Sequence, residues 1–109
     1  MNKLLIVGAG GLGRMTMESA RTKYECYFID DNISKDTFIC DTKVVGKISD
    51  LEKLRSEYEN LIVSIGNNQI RENITNYAIE LGYKMPNIFN ETAYISPYAK
   101  FGYGCIVLS

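Results

Sequence analysis

The 109-residue sequence has no histidine and no tryptophan, only two prolines, and three cysteines. Histidine is the side chain that titrates nearest neutral pH and the most frequent general base. Its absence removes the usual proton-transfer group and the usual neutral metal ligand together, so neither a catalytic residue nor a metal site is expected in this chain. Cys26, Cys40 and Cys105 are odd in number and far apart, which fits reduced thiols better than bridges or a zinc site. Charge of one sign is also lacking: 12 basic and 13 acidic residues leave a net charge of −1, and nucleic acid finds no electrostatic footprint. No apolar run approaches the roughly 20 residues of a membrane-spanning helix, and no apolar region precedes a cleavage site. A cytoplasmic protein with neither nucleic-acid nor membrane partners is expected.

What is present is organised around Leu4 to Asp31. Leu4-Leu5-Ile6-Val7 is a continuous apolar run, too short for a helix and consistent with a strand buried on both faces. It leads into Gly8-Ala9-Gly10-Gly11-Leu12-Gly13, which holds Gly-x-Gly-x-x-Gly at Gly8, Gly10 and Gly13. A helix from Leu12 to about Thr22 follows, then a strand over Cys26–Ile29 that ends in Asp30-Asp31. Gly8 permits a tight turn, Gly10 and Gly11 allow close approach of a phosphate, and Gly13 lets the helix pack against the strand. A helix N-terminus at this point favours an anion. Asp30 lies 22 positions after Gly8 (30 − 8), near the spacing at which an acid bonds a ribose hydroxyl. A glycine turn that merely joins strand to helix is the bland alternative.

The rest of the chain repeats the alternation. Asn32 to Lys43 reads as a polar connection and Val44-Val45-Gly46 as a short strand. Ser49 with Glu52 three residues on suggests a capping box, opening a helix to about Tyr58. Leu61–Ile65 is a further buried strand, ended by Gly66-Asn67-Asn68. Ile70, Ile74, Tyr77, Ala78 and Leu81 then fall on one helical face, with Gly82 as the stop, and Pro86–Phe89 supplies a last short strand. Alternating strands and helices with short connections argue an α/β fold, a Rossmann-like parallel sheet flanked by helices. Ligands in such sheets bind beyond the carboxyl ends of the strands, where Gly8–Gly13, Asp30–Asp31 and Gly66–Asn68, with Arg71 nearby, converge. For Gly66–Asn68 and Arg71, a plain strand exit and a solvated helix start are the competing reading.

From Ala93 the sequence falls into sixes, with small residues at Ala93, Ala99 and Cys105 and large apolar ones at Ile95, Phe101 and Val107. That is the pattern of a hexapeptide β-helix, each six forming one side of a coil. The expected division is therefore residues 1–90 as the Rossmann-like domain and 91–109 as the start of a truncated left-handed β-helix. The tail residues after about Pro97 would then lack the parallel partners that further repeats provide.

The opening Leu4–Gly11, the Phe28-Ile29-Asp30-Asp31 strand end, Val63–Asn68 followed by Arg71, and Ile95-Ser96-Pro97 together carry a resemblance. The chain resembles the N-terminal domain of sugar acyltransferases related to sialic-acid O-acetyltransferase and to bacterial enzymes that N-acetylate UDP-linked 4-amino sugars. The resemblance implies a homotrimer in which the front domain holds the nucleotide-sugar. A β-helix behind it would hold acetyl-CoA, the co-substrate, and the catalytic histidine. By that analogy Gly10, Gly11, Leu12 and Gly13 face the pyrophosphate and Asp30 and Asp31 the nucleoside of a UDP-sugar, with Gly8 part of the same expected site. Gly66, Asn67 and Arg71 would lie toward the sugar, with Asn68 also counted in the expected site. The chain departs from the family at Leu12, where histidine is usual, and at Asn90-Glu91, where a histidine-proline pair is frequent. The full-length protein is then an acetyltransferase, and this chain binds without catalysing. The other readings are an NAD(H)-binding regulatory Rossmann domain and a non-binding scaffold.

Overall fold

Leu4, Leu5, Ile6 and Val7 are all buried at the centre of the molecule, in a computed structural model that describes residues 1–89 and 106–107. They end the central strand β1 (Asn2–Val7). On one side of it lies β2 (Tyr24–Ile29), in parallel register from Asn2 opposite Tyr24 to Val7 opposite Ile29. On the other lies β5 (Asn60–Val63), also parallel, with Val7 opposite Val63. Beyond β2 come β4 (Thr42–Gly46), parallel to it, and β3 (Phe38–Ile39), antiparallel to β4, giving the order β3-β4-β2-β1-β5.

Alternate side chains of β1 feed two cores. Leu5 and Val7 pack with Leu61, Val63, Leu51, Ile74 and Ala78; Leu51 belongs to helix α2 (Leu51–Leu54), and Ile74 and Ala78 to α3 (Asn68–Glu80). Leu4 and Ile6 pack with Phe28, Ile62, Met17 and Ala20, the last two on α1 (Gly11–Ala20). Each such buried aliphatic contributes about 1.5–3 kcal/mol, and this double-sided burial is why the strand reads as an unbroken apolar run.

The described structure departs from sequence expectation in four places. The polar connection before Lys43 contains β3, and β3 and β4 form a tight hairpin. Its turn is made by Cys40 and Asp41 at φ 49° and 63°, with Asp36 at 73° just ahead. No glycine or Asn-Gly pair marks it, so the usual hairpin signal is absent. The capping box lies earlier than Ser49 and Glu52: a 3-10 turn over Ile48–Asp50 begins after Lys47, whose N–H donates to Asp50 Oδ2 at 2.9 Å. That bond holds the Asp50 carboxyl below its ordinary pKa. The helix expected to reach Tyr58 ends at Leu54, after which the N–H groups of Glu57 and Tyr58 both return to Leu54 O at 3.0 Å. Finally, β6 (Ile88–Phe89) forms outside the five-stranded sheet and pairs in parallel with β7 (Ile106–Val107). The partners lie 18 residues apart (106 − 88), and the tail strand thus has a parallel partner that the sequence alone does not assign to it. Ala93, Ile95, Ala99, Phe101 and Cys105, which carry the rest of the hexapeptide expectation, lie outside the described residues.

Candidate functional site

The chain passes from β1 to β2 and β4 on one side of the sheet and returns to β5 on the other. Between the carboxyl ends of β1 and β5 the direction reverses, and a cleft is expected there. A cleft of about 480 Å³ occupies this position, with Gly8, Gly10, Asp30 and Asp31 among its lining.

The glycine turn is built by close backbone approaches. Gly8 stands at φ +104°, and its N–H donates to Ile29 O at 2.7 Å, tying the turn to the end of β2. A Cβ on Gly8 would fall 2.7 Å from Ser64 O, and one on Gly13 only 1.7 Å from Gly8 O. Helix α1 therefore crosses directly over the strand exit, which only glycine at position 13 permits. Gly10 and Gly11 face open space, with nothing within 4 Å of an added Cβ. Under the turn, Ser64 Oγ donates to Thr16 Oγ1 at 2.9 Å, and Thr16 Oγ1 donates to Leu12 O at 3.0 Å. This buried relay fixes the first turn of α1 to the end of β5.

The two helices at the cleft end differently. Gly10, the N-cap of α1, makes no side-chain cap, and no acid stands in its first turn. Its first N–H groups, without intrahelical partners, are left for an outside acceptor. In α3 the Asn67 side chain accepts from Ile70 N–H at 2.9 Å, and Arg71 Nη2 donates to Asn68 Oδ1 at 2.7 Å. There the helix start satisfies itself.

Asp30 Oδ2 accepts the Ala9 N–H at 2.9 Å and Oδ1 the Asn32 N–H at 2.8 Å. Asp31 Oδ1 accepts the Ile48 N–H at 2.9 Å. The acid pair thus holds three loops around the cleft.

Of the residues expected from sequence, Gly8, Gly10, Asp30 and Asp31 line the cleft. Gly11, Leu12 and Gly13 belong to the adjoining helix start, and Gly66, Asn67, Asn68 and Arg71 stand outside the lining. That side is walled by Ile65, Ile70 and Ile74. Ile70 and Ile74 were legible as an apolar helical stripe, without a site role; Ile70 is 47% exposed. Ile48 carried no sequence signal, because it is placed by the Asp31 bond. Among the described residues no group of three or more metal-binding side chains occurs, and no helix is long and apolar enough to cross a membrane.

Comparison with known proteins gives a consistent result. The family model described as the PglD N-terminal domain matches residues 3–78. A mutant of perosamine N-acetyltransferase from Caulobacter crescentus, solved in complex with CoA and GDP-perosamine, is 26% identical with a TM-score of 0.91; the match covers 100% of this chain and 52% of that one. The acetyltransferase domain of PglB from Neisseria gonorrhoeae FA1090, in complex with acetyl coenzyme A, is 35% identical with a TM-score of 0.87, covering 97% and 53%. The chain spans about half the length of these solved relatives.

Proposed function

Because the chain belongs to the family of PglD N-terminal domains, we propose that it is the nucleotide-sugar-binding part of a sugar acetyltransferase. The observation that carries this reading is the open, uncapped N-terminus of α1 at Gly10, beside a cleft that Asp30 and Asp31 also line. The diphosphate sits at the Gly10–Gly13 turn, where free N–H groups and the helix dipole favour it. The nucleoside lies toward Asp31 and the sugar extends past the turn toward Gly66, Asn67, Asn68 and Arg71. The nucleotide is uridine by the family resemblance; the GDP-perosamine held by the Caulobacter relative supports guanosine as the alternative.

In the whole protein an acetyl group passes from acetyl-CoA to a sugar amine or hydroxyl. The acceptor must lose a proton as it attacks the thioester, and the oxyanion needs a donor. No histidine is available in this sequence to take that proton, so the chain contributes binding and orientation, and a trimeric β-helix in the cytoplasm contributes the chemistry.

Thermal unfolding tests the reading. A ligand that binds only the folded state at 100 times its Kd stabilises by about 2.7 kcal/mol. UDP, GDP or their sugar conjugates should raise Tm, and NAD should raise it less. A larger shift with NAD than with any nucleoside diphosphate would favour a dinucleotide-sensing domain.

A further inference from the structure

We propose that Asp30 is a positioning residue, which holds the glycine turn in its ligand-ready shape, and that it does not act as the ribose acceptor its sequence spacing suggests. The inference rests on the nucleotide-sugar reading above. Four glycines in six residues make Gly8–Gly13 the segment with the most conformational freedom to lose, and α1 offers no side-chain cap to restrain it. The restraint comes from across the sheet. One carboxylate oxygen of Asp30 accepts the Ala9 N–H, 21 residues away in sequence, and the other accepts the Asn32 N–H. Both are charge-assisted bonds, and Ala9 is 4% exposed, so the first is shielded from competing water. The neighbouring acid differs. Asp31 is exposed, gives only Oδ1 to the Ile48 N–H, and has no partner for Oδ2 among the described residues. The labour is thus divided: Asp30 sets the turn, and Asp31 presents an acceptor to the ligand.

With the Ala9 N–H engaged by Asp30, the amides that remain for an anion are those beyond Ala9, on the open side of Gly10 and Gly11. Asp30 thereby pre-pays the ordering of the turn, which otherwise would fall on binding.

The test uses Asp30→Asn, which keeps the volume but places a donor against one of the two N–H groups. Amide exchange and binding of UDP, 2′-deoxy-UDP and inorganic pyrophosphate are measured on native and variant protein. Expected are faster exchange at Ala9 with Leu5 and Ile62 unchanged, and an equal loss of about tenfold for UDP and pyrophosphate. The preference for UDP over its deoxy analogue should stay as in the native chain. Loss confined to UDP, a collapsed deoxy discrimination, or unaltered exchange at Ala9 would each overturn the assignment. A native chain that binds none of the three probes refutes the nucleotide reading itself, and the assignment falls with it. Asp30→Ser, which keeps one small acceptor, is read in the same way if the amide variant does not fold.

Discussion

Gly13 and Gly10 are both turn glycines, yet the structure assigns them opposite failures on substitution by alanine. At position 13 a Cβ would lie 1.7 Å from Gly8 O and 2.7 Å from Gly8 C. Side-chain Cβ atoms essentially never approach closer than 3.0 Å, so α1 or the turn must move by more than 1 Å. Neither wall yields easily: the obstacle is backbone, and Gly8 is itself pinned at φ +104° by its bond to Ile29 O. Overpacking of this kind costs typically 1–3 kcal/mol, and here we expect about 3. Alanine in a helix recovers about 1 kcal/mol over glycine, leaving a net loss of about 2 kcal/mol, or roughly 10 °C in Tm. Gly10 has open space around it and stands at φ −79°, ψ −163°, a conformation any residue adopts. Gly10→Ala should change stability by less than about 0.5 kcal/mol while weakening nucleotide binding, because its methyl group stands where the phosphate approaches. Urea unfolding and titration calorimetry on both variants separate the two. A Gly13→Ala protein as stable as the native one would refute the crossing argument, and a Gly10→Ala protein that binds normally would refute the placement of the phosphate.

The Ser64–Thr16 relay should show coupling in a double-mutant cycle. Thr16→Val alone strands the buried Ser64 hydroxyl and costs about 1–3 kcal/mol, whereas pairing it with Ser64→Ala recovers part of that loss; strict additivity would contradict the contact. Tyr83 donates its hydroxyl to Leu51 O at 2.6 Å, and burial pushes its pKa from 10.0 up to about 12. The unfolded chain releases this proton first, so the contribution of Tyr83 to stability should be constant below pH 10 and fall as pH rises from 10 toward 12. Urea midpoints against pH should lose part of that slope in Tyr83→Phe; an unchanged slope would mean that Tyr83 does not contribute to it. Burial likewise raises the Cys26 thiol to about 11, while Cys40 is exposed. Iodoacetamide at pH 8 should therefore alkylate Cys40 well before Cys26, as peptide mass mapping would show; equal rates would contradict the burial of Cys26.

The sequence revealed those features whose cause is local or periodic. Leu4–Val7 was readable because a strand covered on both faces leaves no polar positions, and Gly8, Gly10 and Gly13 because each answers a distinct steric demand. The β3–β4 hairpin was hidden because Cys40 and Asp41 take positive φ, which sequence associates with glycine and asparagine. Asp30 was found at the right spacing for a ribose contact, but spacing does not say what a carboxylate already holds. That it accepts the Ala9 N–H depends on how β1 and β2 stand side by side. Ile48 was invisible for the same reason: only the fold brings it under Asp31.

Helix α1 does two jobs at its two ends, and its length sets the relation between them. Its glycine end faces the cleft, while Met17 and Ala20 share a buried cluster with Ile88 of β6, the strand on which β7 stacks. At about 1.5 Å of rise and 100° of rotation per residue, the ten residues of α1 act as a threaded spacer. Adding or removing one residue would shift the seat of Ile88 only slightly along the axis but turn it by more than a quarter of a revolution. The helix thus keeps phase as well as distance, and whatever is built on the β6–β7 pair inherits a fixed bearing toward the cleft.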